Sequence, residues 1–102
     1  MKLYGNVNVS SGIVYGCVTI NYMDQNYWYE NPSATYDTEV GGNYSIENVR
    51  ANVPFKVTIG YLYIGSMPEI MTMKLINKTY VIENDTRMDF TVMTSNITPI
   101  RT

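Results

Sequence analysis

Histidine is absent from this chain, and Cys17 is its one cysteine. Without an imidazole, the commonest general base and the commonest metal ligand are both missing. Neither a Ser-His-Asp nor a Cys-His constellation can be assembled within one chain, so no enzymatic activity and no cofactor are expected. A lone thiol excludes an intrachain disulfide and any multi-cysteine zinc site. Charge is scarce too: seven Lys and Arg against nine Asp and Glu leave a net charge of −2. The cations form no run, and phosphate binding needs a clustered basic surface, so nucleic acid is not expected as a partner. No apolar run approaches the ~20 residues of a helical membrane span. Met1-Lys2-Leu3-Tyr4-Gly5 lacks the apolar core of a signal peptide. Helical periodicity, repeats and linkers are not seen either, so residues 1–102 read as a single domain.

What is present is alternation with a period of two, rich in β-branched and aromatic residues. Leu3, Gly5, Val7 and Val9 share one parity, as do Val14, Gly16, Val18, Ile20 and Tyr22. Cys17, between Gly16 and Val18, reads as a small buried hydrophobe. Thr35 to Ile59 reads as two strands folded about one turn, with Gly41 and Gly42 supplying the positive φ of a tight reversal. Tyr44 and Ile46, then Phe55, Val57 and Ile59, define buried faces. Met71, Met73 and Leu75 share a face of a strand over residues 70–76. Tyr80 to Ile82 reads as a further short strand, and Met88, Phe90 and Val92 alternate in a closing one. Seven or eight short strands separated by turn signals predict an all-β, antiparallel Greek-key β-sandwich.

The pattern resembles the carboxypeptidase regulatory-like domain family, transthyretin-like (prealbumin-like) sandwiches related in architecture to immunoglobulin-like folds. That family carries T-x-T-D-x-x-G-x-Y-x-F-x-x-L followed by Y-x-V-x-V, which Thr35 to Ile59 resembles. Leu3, Gly5 and Val7 fit its opening I-x-G-x-V. Val14-Tyr15-Gly16-Cys17-Val18 departs modestly from P-V-x-G-A-x-V, with Cys17 in place of Ala. The resemblance implies a non-catalytic module. The purine-hydrolysing relatives of transthyretin depend on His, so that activity is set aside, while a transthyretin-like carrier of a small ligand between subunits stays open.

Two stretches are candidate contact surfaces. In Tyr27-Trp28-Tyr29, Trp28 and its neighbours must point oppositely, so at least one set of rings lies outside the core. Tyr61-Leu62-Tyr63-Ile64 is apolar on both faces and needs cover on both. A self-associating structural or interaction module is therefore expected, as a subunit of a larger extracellular, cell-surface or virion-type assembly. The alternative is a carbohydrate-binding module that stacks glycans on Tyr27, Trp28 and Tyr29. Sequons at Asn8, Asn43, Asn77, Asn84 and Asn96 mark possible glycosylation sites. Asp37-x-Glu39-x-Gly41-x-Asn43 spaces oxygens as a calcium loop does, but lacks the downstream bidentate Glu and reads as a solvated turn. Lys2 with Asp89 or Asn96 loosely matches the amide crosslink of collagen-adhesin B-type domains, and ordinary surface charges are the preferred reading.

Overall fold

The computed structural model describes residues 1–10, 12–23, 31–64 and 71–92. Among them are eight strands: β1 (Leu3–Val9), β2 (Ile13–Tyr22), β3 (Ser33–Asp37), β4 (Asn43–Ile46), β5 (Phe55–Ile64), β6 (Met71–Tyr80), β7 (Thr86–Arg87) and β8 (Phe90–Val92). A 3-10 turn, Thr38–Val40, separates β3 from β4. One sheet has β1 at its centre, with β4 on one side and β7 then β8 on the other. The second runs β3-β2-β5-β6. The chain is thus all-β in two sheets with one shared core.

The expected parities hold. Leu3, Val7, Val14, Val18, Ile20, Ile46, Phe55, Val57 and Ile59 are each no more than 1 % exposed, and residues of both sheets join in one cluster. Burying so many β-branched and aromatic side chains, at ~1.5–3 kcal/mol each, supplies the main drive to fold.

Three local expectations change. Thr35 to Ile46 is not a hairpin: β3 pairs with β2 and β4 pairs with β1, so the glycine turn carries the chain from one sheet to the other. The 3-10 turn makes this crossing, with Asp37 capping it and Gly41 and Gly42 at φ of 107° and 73°. Next, the short strand expected over Tyr80 to Ile82 is absent. β6 runs on to Tyr80, whose ring stacks on Phe55, and Ile82 packs into the core from the segment that follows. Finally, pairing is not antiparallel throughout, because β7 and β8 run parallel to β1.

The physical reason for that parallel edge is visible between β7 and β8. Met88 donates its N–H to the Tyr4 carbonyl, and the neighbouring Asp89 carboxylate accepts from Asn6 N–H at 2.9 Å. Asp85 does the same for Lys2 N–H at 2.8 Å. Side-chain oxygens thus satisfy β1 donors where the ladder is interrupted. Asp89→Ala should cost about 1 kcal/mol by leaving Asn6 N–H without this acceptor. A urea melt that shows no loss would contradict that role.

Each sheet also contains a tyrosine laid across a glycine. Tyr36 of β3 sits opposite Gly16 of β2, and its hydroxyl donates to the Gly60 carbonyl on β5 at 3.1 Å. Tyr44 of β4 sits opposite Gly5 of β1, and its hydroxyl donates to the Met88 carbonyl beyond. In both cases the missing Cβ on the central strand lets an edge-strand ring reach the far neighbour. A Cβ at Gly16 would lie 2.6 Å from the Gly60 carbonyl carbon, and one at Gly5 2.7 Å from that of Met88. Burial, reinforced by Cys17 and Tyr61, pushes the Tyr36 phenol well above its ordinary pKa. Burial, then Asp89 and Tyr80, does the same to Tyr44.

Candidate interaction surface

The second sheet turns one face to the core, and its other face carries exposed and half-buried side chains. Register places Tyr15, Leu62 and Met71 in one row, Cys17, Gly60 and Met73 in the next, and Thr19, Thr58 and Leu75 in a third. Tyr15 is 41 % exposed, Met73 57 % and Leu75 54 %. Cys17 belongs to this outer face and is only half-buried, because its odd parity on β2 opposes that of Val18; the buried position expected for it is corrected. Its sulfur lies 3.8 Å from Thr19 Oγ1.

Of the two-sided apolar segment, Tyr61 points into the core and is 6 % exposed, so its ring is not offered to a partner. Leu62 faces the outer surface, half-buried beside Tyr15 and Met71 in register. Tyr63 and Ile64 continue β5 opposite Val14 and Ile13, and their side chains lie outside the described residues. Tyr27, Trp28 and Tyr29 also lie outside them.

The second sheet ends in two strands with no further strand on their outer sides among the described residues, β3 and β6. β6 is the longer, ten residues, and Thr72 to Leu75 and Asn77 to Thr79 are all exposed. Such a row of backbone donors and acceptors is a template for strand addition. At the opposite edge, β3 and β4 come from different sheets and diverge. Between them lies an open groove of about 600 Å³ lined by Ser33, Ala34, Thr35, Asn43, Tyr44 and Ser45. The hydrogen bonds from Ile20 N–H to the Pro32 carbonyl and from Val7 N–H to the Gly42 carbonyl set the phase of both ladders. By antiparallel alternation, the backbone groups of Ser33, Thr35, Asn43 and Ser45 then turn toward the groove.

Near this groove Glu47 Oε1 accepts from Ser45 Oγ at 3.3 Å. Asp37 Oδ1 accepts from Glu39 N–H at 2.9 Å, and Asn43 Oδ1 accepts from Asn6 Nδ2 at 3.2 Å. No group of three or more His, Cys, Asp or Glu side chains gathers among the described residues. Lys2 lies over its neighbour Tyr4, with Nζ 5.2 Å from the ring centroid, while Asp89 is engaged by Asn6 and Arg87. Of the sequon asparagines, Asn8, Asn43, Asn77 and Asn84 are exposed; Asn96 lies outside the described residues.

Sequence reasoning missed the groove and the edges. Both arise from which strands fail to find a neighbour, and side-chain alternation carries no signal for that. No protein-family model, curated protein or solved structure matches this chain. No helix among the described residues is long and apolar enough to cross a membrane.

Proposed function

We propose that this chain is a non-catalytic structural or interaction module that associates through its second sheet, as a subunit of a larger extracellular, cell-surface or virion-type assembly. Within that reading the two sheets form a Greek-key sandwich of the carboxypeptidase regulatory-like, transthyretin-like kind. The observation that carries the proposal is the outer face with exposed Tyr15, Met73 and Leu75 and half-buried Leu62, flanked by strands that have no outer neighbour among the described residues. Isolated exposed apolar residues are ordinary, whereas several grouped on one face of a sheet mark a contact surface. The absence of histidine supports the non-catalytic part of this reading, because imidazole is the commonest general base.

Light scattering on the purified chain across a concentration series tests the proposal. The expected result is a mass that rises with concentration or holds at a multiple of one chain. A single-chain mass at every concentration contradicts self-association. Tyr15→Lys and Leu75→Lys, both at exposed positions, should shift the equilibrium toward single chains by about tenfold if the outer face contributes.

A further inference from the structure

The two edge strands of the second sheet, β3 and β6, which have no outer neighbour among the described residues, are complementary in direction and in charge. β2 is antiparallel to both β3 and β5, and β5 is antiparallel to β6, so β3 and β6 run in opposite directions. A second copy placed beside the first in the same orientation therefore sets its β6 antiparallel to β3, without turning either molecule over. Antiparallel pairing is the more stable ladder per residue.

Charge favours the same arrangement. The segment Ser33 to Glu47, which holds β3, the 3-10 turn and β4, contains Asp37, Glu39 and Glu47 and no Lys or Arg. The strand Met71 to Tyr80 contains Lys74 and Lys78 and no Asp or Glu. Lys74 is opposite Ile59 in register, and Lys78 lies over the Tyr80 ring that stacks on Phe55, so both cations lie on the core side of β6. A two-fold β6-to-β6 pairing would keep those sides together and bring four ammonium groups onto one face. Lysines on an edge oppose such self-pairing and leave an acidic edge as the favourable partner.

We propose that β6 of one copy adds as an antiparallel strand to β3 of the next, filling the groove between β3 and β4 and continuing the second sheet from molecule to molecule. This rests on the self-association reading and names its interface. The contact is heterologous, so repetition produces a ring or an open filament rather than a two-fold dimer. The groove receives a strand whose backbone groups pair with those of Ser33 and Thr35, while Glu39 and Glu47 attract the incoming lysines.

Two charge-reversed variants test it. K74E/K78E spoils the donor strand and keeps the groove, and E39K/E47K spoils the groove and keeps the donor. All four side chains are exposed, and circular dichroism establishes that each variant is folded. Each variant alone is expected to dissociate into single chains at concentrations where the unaltered protein assembles. Mixed one to one, they should assemble again in alternation, because the unaltered lysines meet the unaltered glutamates at one junction and the two reversed sets meet at the next. Unaltered protein that assembles, with both variants assembling equally well, overturns this interface and leaves self-association standing. Variants that dissociate but do not recombine also overturn it. An unaltered protein that stays a single chain throughout overturns both.

Discussion

Gly16→Ala is expected to destabilise the protein by about 3 kcal/mol or more, as a clash with backbone that cannot be relieved by a rotamer change. The added methyl would press on the Gly60 carbonyl and lie 2.9 Å from Tyr61 Cα, both in the adjoining strand. Moving β5 aside would break the longest ladder in the molecule, the ten-residue register from Ile13–Ile64 to Tyr22–Phe55. It would also displace Tyr36, whose hydroxyl reaches Gly60 across that gap. Gly41→Ala is the control. There the nearest side-chain atom is 3.6 Å away, and only the φ of 107° opposes a side chain. Its cost should be nearer 1 kcal/mol. Urea denaturation of the two variants decides the matter, and equal losses would sink the packing argument.

Alkaline pH should unfold the protein through Tyr36 and Tyr44. Both phenols start from an ordinary pKa of 10.0, and burial raises both in the folded chain. Above pH 10 the unfolded chain releases these protons while the folded chain retains them. The unfolded state then binds fewer protons, so stability falls as pH rises, and below pH 10 the two groups leave it unchanged. Each contributes a slope of about 1.4 kcal/mol per pH unit, until the raised pKa is reached. Both effects have the same sign, so the loss of stability above pH 10 is steeper than either tyrosine alone would give. Tyr36→Phe and Tyr44→Phe should each lose about 1 kcal/mol at neutral pH with the hydrogen bond, yet unfold less steeply between pH 10 and 12. Unfolding midpoints across that range are the measurement. A slope unchanged in both variants rules out the proposed linkage.

Much of the fold was legible because each strand writes its buried face locally. A period of two needs only the neighbours in sequence, so Leu3 and Val7, Val14 and Val18, and Phe55, Val57 and Ile59 could be assigned to the core from alternation alone. The absence of histidine likewise settled, without any coordinates, that imidazole chemistry lies outside this chain. Pairing was different. Asp37 to Asn43 carries every local mark of a hairpin, but its flanking strands find better neighbours in β2 and β1, far away in sequence. The parallel edge of β7 and β8 on β1 joins residues more than eighty positions apart, and no local pattern encodes such a partner.

The same division runs through the candidate surface. The parity shared by Met71, Met73 and Leu75 follows from sequence, but the exposure of Met73 and Leu75 depends on what the rest of the chain packs above them. That Tyr61 turns inward while Leu62 turns outward continues the parity of Phe55, Val57 and Ile59, whereas which residues flank Leu62 is decided by the register of β5 between β2 and β6. Gly5 and Gly16 could be read as strand glycines, and only the tertiary structure shows tyrosines laid across them. Local alternation thus determined the faces of the strands, because side chains must point somewhere regardless of partners. Long-range packing decided the edges, since an edge exists only where the rest of the chain fails to supply a neighbour.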